Sequence, residues 1–160
     1  MAAGAIARIK ATYGDQVHFV SAGSWARPND LDLGIEQLGL LDYASTGDLY
    51  RTCDVGIALT VSEHPSYLPL ELNACGVPVI AFDLPAGYWI LKDGENSLLA
   101  RRTISSLADN IERLITDDDL RAKLSAGADR NIEANHASWD AAFAPVYDFL
   151  CDPERVGKGS

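Results

Sequence analysis

The amino-acid sequence predicts an α/β domain in which helices flank a parallel β-sheet. Short β-rich apolar runs alternate along the chain with longer segments whose apolar residues recur at helical spacing. The clearest case is the β-rich run 55–61, followed by a helical segment at 66–75 and a second β-rich run at 77–82. We expect these three segments to form a β-α-β unit. Ligands of open α/β sheets bind beyond the carboxyl ends of the strands, so we expect the functional site there.

Length and composition fit one soluble globular domain. The chain has 160 residues, of which 48% are hydrophobic and 22% are charged. Its formal net charge of −10 opposes binding to a nucleic-acid backbone or an anionic membrane surface, so no nucleic acid is expected as a partner. No apolar run approaches the roughly 20 residues that a membrane span needs, and the expected location is cytoplasmic.

The N-terminal third of the chain alternates between helix and strand. We predict a short amphipathic helix that ends at Gly14, a buried strand, a loop, a second strand and a helix capped by Ser45 or Thr46. In the same order, these segments cover residues 3–12, 17–24, 27–34, 35–41 and 45–53.

The middle of the chain carries the strongest local signals. Ser66 can cap the helix of the β-α-β unit, Pro69 is tolerated in a first helical turn, and Gly76 ends the helix. A loop at 83–87 and an Asp93-Gly94 turn then precede a short strand at 97–100.

Three helices are predicted in the last third of the chain. Two apolar stripes are separated by acidic residues that suit a helix N-terminus, and a third helix begins at Ser138. The stripes are Leu107, Ile111, Leu114 and Ile115; Leu120, Leu124, Ala128 and Ile132; and Trp139, Phe143, Val146, Tyr147 and Leu150. Residues 151–160 are expected to form a polar tail after a domain at 1–150.

Two carboxylates lie eight positions apart across the junction between the strand at 55–61 and the helix at 66–75. Glu63 follows the strand, and Glu71 lies in the first or second turn of the helix. Amides at a helix N-terminus suit a diphosphate, and carboxylates accept hydrogen bonds from the vicinal hydroxyls of a sugar. The spacing alone is equally consistent with a Glu71 that complements the helix dipole and a Glu63 that is merely solvated.

The order of these motifs resembles a known family. The two glutamates spaced E-x7-E, the strand ACGVPVI, the turn ILKDGENSLLA and the helix SLADNIERLITDDDLRAKL are similar to the C-terminal, donor-binding half of family-4 retaining glycosyltransferases of the GT-B fold. The resemblance covers about residues 17–150. The variant HPSYLPLE is further similar to the group that makes rhamnose-containing polysaccharides from a deoxythymidine diphosphate sugar.

The resemblance implies roles for individual residues. Glu71 matches the glutamate that binds the ribose hydroxyls, and Glu63 matches the catalytic glutamate that approaches the donor sugar. The backbone amides of Ser66, Tyr67 and Leu68 would meet the diphosphate. The main chain of Leu40 and Leu41 would recognise the base. The donor substrate would be a nucleoside diphosphate sugar, with no metal or other cofactor.

The sequence departs from the family pattern in three places. The family's first strand and the basic pair that follows it have no counterpart, so the expected sheet lacks its first strand. His64, Pro65, Ser66 and Tyr67 replace a glycine-rich stretch, and Tyr88-Trp89 stands where many relatives have Pro-Glu. We expect the isolated chain to be inactive, to meet a glycan acceptor only through a missing N-terminal domain, and to dimerise if an edge strand is exposed.

Several alternatives remain open at this stage. His64 is either a contact of the donor sugar or an ordinary loop residue, and Tyr88 and Trp89 either stack on a sugar or pack in the core. Cys53, Cys75 and Cys151 match neither a disulfide framework nor a zinc site, and are expected to pack as small apolar residues. Rival functions are a non-catalytic module that binds a nucleotide or a protein, and one half of a GT-B epimerase or phosphorylase.

Overall fold

The computed structural model describes residues 1–23, 33–64 and 66–153. Within them the chain forms an α/β fold in which all strand pairs are parallel and helices cover the sheets, as the sequence predicts. The strands are divided between two sheets. One has the order β1-β2 and the other the order β3-β4-β5.

The elements follow the predicted order, and most are a few residues shorter than predicted. The strands are β1 (Phe19–Ala22), β2 (Ile35–Gly39), β3 (Gly56–Ala58), β4 (Val79–Phe82) and β5 (Ser97–Ala100). The helices are α1 (Ala2–Tyr13), α2 (Tyr43–Arg51), α3 (Leu68–Ala74), α4 (Ile104–Thr116), α5 (Asp118–Asn135) and α6 (Trp139–Cys151). Short 3₁₀ turns at Gly14–Gln16 and Pro85–Gly87 connect neighbouring elements.

Helix α1 packs against α4 beside the first strand. Its buried residues Ala5 and Ile9 join a cluster that includes Phe19 of β1 and Leu107 of α4. The sheet β1-β2 is parallel, with Phe19 opposite Ile35. This cluster also contains residues of β4, β5 and α5, so one apolar core connects α1 with α5.

The predicted β-α-β unit is confirmed as β3-α3-β4. Val79 and Ala81 of β4 pack with Leu72 of α3 in one apolar cluster, while Ile80 packs in the other. This alternation buries β4 on both faces, with α3 and α4 both in contact with the strand. Gly76 ends the helix region with a φ of 72°, a conformation that favours glycine.

A tight turn before β5 is held by the side chains of buried Asn96 and exposed Asp93. Asn96 accepts the Lys92 amide and donates to the Ile90 carbonyl, each at 2.8 Å, and the Asp93 carboxylate accepts the Leu99 amide at 2.8 Å. Gly127 of α5 lies against this turn, where a Cβ would overlap the Glu95 carbonyl. The Asp-Gly-Glu-Asn sequence therefore shapes the packing between β5 and α5.

Three details correct the sequence predictions. Helix α2 is capped by Asp42, whose carboxylate accepts the Ser45 amide at 2.7 Å, and not by Ser45 or Thr46. This backbone hydrogen bond lowers the pKa of Asp42. The N-cap position of α3 is Tyr67 and not the predicted Ser66, because the helix begins only at Leu68. Cys151 ends helix α6 as an exposed residue, so it neither packs in a core nor belongs to a tail.

Some predictions concern residues beyond the described ranges. Residues 24–32, Pro65 and residues 154–160 lie outside the described ranges. They include most of the predicted loop at 27–34 and most of the predicted tail.

Helix α6 is capped by Ser138 as predicted, but its apolar stripe is exposed along its whole length. In the described part of the chain, no helix combines the length and apolarity needed to cross a membrane.

Candidate functional site

A small cavity lies beyond the carboxyl ends of β3 and β4, where the sequence predicts the functional site. Its volume is about 30 Å³. The wall is formed by the two strand ends, the segment that leads into α3, and the segment after β4. The lining residues include Ala58, Thr60, Ser62, His64, Ser66, Pro69, Phe82, Gly87 and Trp89.

Two of the predicted donor-binding residues line this cavity. His64 is exposed and lies in the segment between β3 and α3, and Ser66 is half-buried just before α3. The Ser66 hydroxyl accepts the Leu68 amide at 3.3 Å. A diphosphate oxygen bound to the Leu68 amide would therefore replace Ser66 as the acceptor.

Glu71 is held in place by a tyrosine of the neighbouring helix α2. It lies in the first turn of α3, where its acidic side chain complements the helix dipole. The Tyr50 hydroxyl donates to Glu71 Oε2 at 3.3 Å. Burial raises the pKa of Tyr50, and the Glu71 charge raises it further, so Tyr50 remains a neutral donor.

Tyr50 was not among the site residues predicted from the sequence. Leu49, Tyr50 and Cys53 recur at helical spacing, which places Tyr50 on the apolar face of a helix. A tyrosine in that position needs a hydrogen-bond partner for its hydroxyl, so this pattern could have identified it. Nothing in the sequence indicates that the partner is Glu71. That contact depends on how α2 and α3 pack.

Glu63 is exposed in the segment between β3 and α3. Neither Glu63 nor Glu71 is among the residues that line the small cavity. Their carboxylates therefore do not form part of the cavity wall.

Aromatic side chains adjoin the cavity on the side of Tyr67. The Tyr67 ring is 71% exposed and meets Trp89 edge to face, with ring centroids 6.5 Å apart. Trp89 lines the cavity and makes a second edge-to-face contact with His136 at 5.8 Å. Tyr88, unlike Trp89, is not part of the cavity lining. Its hydroxyl donates to Asp83 at 2.6 Å, and this hydrogen bond raises the pKa of Tyr88.

The remaining predicted donor-site residues lie apart from the cavity lining. Leu68 is half-buried at the start of α3. Leu40 is exposed and Leu41 half-buried, and both lie between β2 and α2. Because β2 belongs to the other sheet, the structure does not bring Leu40 and Leu41 into the cavity wall.

The region around the cavity has no cationic side chain from the elements that form it. The sequence contains no Lys or Arg from residue 52 to residue 91, a stretch that includes β3, α3 and β4. An anionic ligand would depend here on main-chain amides, hydroxyls and His64. Among the described residues, no three His, Cys, Asp or Glu side chains are grouped so that they could hold a metal ion.

The chain matches one family model and several curated proteins. The family model described as WsaF, C-terminal domain, matches residues 1–112. The O-antigen biosynthesis protein RfbC of Myxococcus xanthus is 37% identical over 157 residues, which are 97% of this chain and 11% of that protein. This chain spans between 11% and 31% of the length of the first curated relatives that it matches.

Two solved structures illustrate the likeness in fold. The C-terminal domain of a group 1 glycosyl transferase (LpcC) from Francisella tularensis aligns with a TM-score of 0.65 and 24% identity, over 82% of this chain and 75% of that one. The pneumococcal O-GlcNAc transferase GtfA in complex with UDP and GlcNAc aligns with a TM-score of 0.69 and 19% identity, over 82% of this chain and 28% of that one. These likenesses show that the fold is that of a GT-B glycosyltransferase domain.

Proposed function

Because the chain belongs to the WsaF C-terminal domain family, we propose that it is the nucleotide-sugar-binding half of a retaining glycosyltransferase of family 4. The enzyme would transfer a hexose in polysaccharide or glycan biosynthesis. One observation carries the proposal. Glu71 lies in the first turn of α3, the helix that follows β3, and accepts a hydrogen bond from Tyr50; α/β folds bind their ligands beyond the carboxyl ends of the strands.

The donor would lie across the mouth of the small cavity. Glu71 would accept hydrogen bonds from the ribose hydroxyls, and the main chain of Leu40 and Leu41 would contact the base. The amides of Ser66, Tyr67 and Leu68 would meet the diphosphate, with His64 beside it. Because the hydrogen bond from the Leu68 amide to Ser66 is long at 3.3 Å, exchanging it for a charged phosphate oxygen is favourable.

The chemistry requires stabilisation of two charges. As the diphosphate leaves, negative charge grows on its oxygens and positive charge grows on the anomeric carbon of the sugar. Glu63, exposed beside His64, is the carboxylate that would face the sugar and support the positive charge. Main-chain amides alone would face the diphosphate, because no Lys or Arg occurs between residues 52 and 91.

The proposed donor is a rhamnosyl group on deoxythymidine diphosphate. Support comes from the resemblance of the HPSYLPLE segment to the rhamnose-polysaccharide group and from the name of the Myxococcus relative, which refers to O-antigen biosynthesis. A uridine diphosphate sugar is the other donor to test, because the pneumococcal structure contains UDP. The glycan acceptor would bind to a second domain in the complete enzyme, which acts in the cytoplasm.

Calorimetric titration of the chain with thymidine diphosphate and uridine diphosphate tests the donor site directly. We expect one of them to bind, and Glu71→Ala to weaken binding by about 1.5 to 3 kcal/mol, or roughly 10- to 150-fold, because hydrogen bonds to a charged group are lost. Glu133→Ala removes an exposed carboxylate from α5 and is the control, with an unchanged dissociation constant. Absence of binding, or equal effects of the two substitutions, would favour a module without a donor site.

A second measurement separates binding from turnover. No Lys or Arg occurs at residues 52–91, so we expect the 160-residue chain on its own to bind a nucleotide without transferring sugar. The assay mixes the chain with the rhamnosyl and uridine donors and a simple glycan acceptor. Transfer at an enzymatic rate would contradict the requirement for a partner domain, and interconversion of the free donor sugar would point to an epimerase.

A further inference from the structure

The small cavity beyond β3 and β4 has a polar rim and an apolar inner part. Among the described residues that line it, the polar side chains are all exposed or half-buried, and they are Thr60, Ser62, His64 and Ser66. The buried lining residues are all apolar, and they are Ala58, Pro69, Ala81, Phe82 and Leu91. We call these five residues the apolar end of the cavity. A ligand group that enters passes hydroxyls and an imidazole before it reaches the apolar end.

The apolar end offers a ligand few hydrogen-bond partners. Pro69 lies in the first turn of α3 and has no backbone N–H to donate. Ala81 lies inside the sheet between Ala58 of β3 and Leu99 of β5, where backbone groups bond to the neighbouring strands. A hydroxyl group that reached the apolar end would leave its water partners without gaining a side-chain partner, and its binding would be weakened.

The size of the cavity suits one substituent of a sugar rather than a whole ring. Its volume is about 30 Å³, whereas pockets that enclose a complete ligand have roughly 300 to 1,000 Å³. A pyranose ring would therefore stay outside, and one small group attached to the ring would enter. A methyl group fits these conditions, because it needs no hydrogen-bond partner and its removal from water is favourable.

Trp89 forms one wall of the cavity and has aromatic neighbours on two sides. Its ring meets Tyr67 edge to face at 6.5 Å and His136 edge to face at 5.8 Å. His136 comes from the end of α5 and is not itself part of the cavity lining. Because edge-to-face contacts favour one orientation of the indole ring, the wall is formed before a ligand binds. A preformed wall distinguishes ligand groups by shape and polarity.

We propose that the apolar end of the small cavity binds a methyl group of the donor sugar, so that the site prefers a methyl-bearing sugar to its counterpart without that methyl group. The inference rests on the proposed function, because it takes the ligand of the crevice to be a nucleoside diphosphate sugar. Two kinds of sugar supply a methyl group. It is attached to a ring carbon in a 6-deoxy sugar and belongs to the acetyl group in an N-acetylated amino sugar.

Calorimetric titration of the whole chain with matched donors tests the preference. The sugars are carried on thymidine or uridine diphosphate, whichever of the two binds more tightly. One pair is rhamnose and the same sugar with a hydroxyl on its methyl carbon, and the other pair is N-acetylglucosamine and its N-formyl counterpart. We expect the methyl-bearing donor of one pair to bind at least about tenfold more tightly than its counterpart, and that pair identifies the source of the methyl group.

The outcomes separate this inference from the proposed function. Equal affinities within both pairs, with the nucleoside diphosphate itself bound, would overturn the methyl preference and leave the donor site standing. If neither nucleoside diphosphate binds, both proposals fail. Tighter binding of the hydroxylated or formylated donor would also contradict the inference, because the apolar end could then not be the part of the cavity that the substituent occupies.

Two substitutions add a hydroxyl group to the cavity lining. Ala58→Ser changes the apolar end itself, and Ala86→Ser changes a half-buried residue of the wall, where a polar group disturbs the core less. We expect each to reduce the preference for the methyl-bearing donor about threefold or more, because the hydroxyl of the counterpart gains a partner. Ala122→Ser, on an exposed position of α5, is the control and should leave the preference unchanged. The midpoint of thermal unfolding shows that each variant is folded.

Nuclear Overhauser effects locate the methyl group directly in the unsubstituted chain. We expect contacts between the methyl protons of the preferred donor and the side chains of Ala58 and Leu91 at the apolar end. Contacts of the donor methyl group with other parts of the chain only would overturn the inference, even if the affinities differ as expected.

Discussion

The two sheets of this domain differ in how completely their strands are covered. All four residues of β4 are buried, and so are three of the four residues of β5. In β1 only Phe19 is buried, and β2 has no fully buried residue. The difference follows from their neighbours, since β4 has a strand on each edge and helices α3 and α4 in contact with it, whereas β1 is paired only with β2 among the described residues.

This contrast indicates an uneven distribution of stability. Regions with many buried apolar contacts open only with global unfolding, while regions with few such contacts open locally at a lower free-energy cost. The sheet β3-β4-β5 belongs to the first kind and also carries the candidate donor site. The sheet β1-β2 belongs to the second kind.

The largest expected effect comes from truncating the same residue type in the two sheets. Ile80 in β4 is fully buried, whereas Ile35 in β2 is only partly buried. Ile80→Ala should lower the free energy of unfolding by about 4 kcal/mol, near the upper end of the range for buried aliphatic residues, and Ile35→Ala by about 1 kcal/mol. Urea unfolding measures both. Equal losses would show that the two sheets are equally well packed.

The second prediction concerns the contact between α5 and the turn before β5. Gly127→Ala forces a Cβ against the Glu95 carbonyl, which is backbone and has little room to move. We expect a loss of about 3 kcal/mol in the free energy of unfolding, as for overpacked cores. The midpoint of urea or thermal unfolding measures it.

Gly47→Ala is the matched control for that prediction. Gly47 also lies inside a helix, α2, but a Cβ there would meet only the end of the Arg51 side chain, at 3.5 Å or more. Alanine should therefore raise stability by up to about 1 kcal/mol through helix propensity. If both substitutions change stability in the same direction, the close approach at Gly127 does not determine the packing of α5.

The sequence predicted the order and type of the elements because those depend on local patterns. The alternation of β-rich runs with helical stripes and the glycine at 76 identified β3, α3 and β4. Strand lengths were overestimated, as at 55–61, because apolar residues continue beyond the last sheet hydrogen bond. The α2 cap was missed because Asp42, Ser45 and Thr46 are all competent caps, and only the backbone conformation decides among them.

The division into two sheets and the contacts of Glu71 could not be predicted from local sequence patterns. Sheet order depends on pairing between segments that are distant in sequence, so the separation of β1-β2 from β3-β4-β5 has no local signature. The spacing of Glu63 and Glu71 was recognised, but the contact of Glu71 with Tyr50 spans 21 positions and depends on helix packing. The exposure of the α6 stripe likewise depends on what else packs against that helix, which periodicity does not encode.

The smallest expected effect tests whether Tyr50 of α2 orients Glu71 of α3. Tyr50→Phe keeps the ring between α2 and α3 but removes the hydroxyl that donates to Glu71. We expect nucleoside diphosphate affinity to fall by about 0.5 to 1.5 kcal/mol, or roughly two- to twelvefold, because one hydrogen bond that orients the carboxylate is lost. In a Glu71→Ala background the same change should have no further effect, since its partner is already absent. Tyr13→Phe removes a comparable tyrosine–glutamate bond, to Glu112 at 2.9 Å between α1 and α4, and is the control. If Tyr13→Phe weakens nucleotide binding as much as Tyr50→Phe does, the effect reflects general loosening of the fold rather than orientation of Glu71.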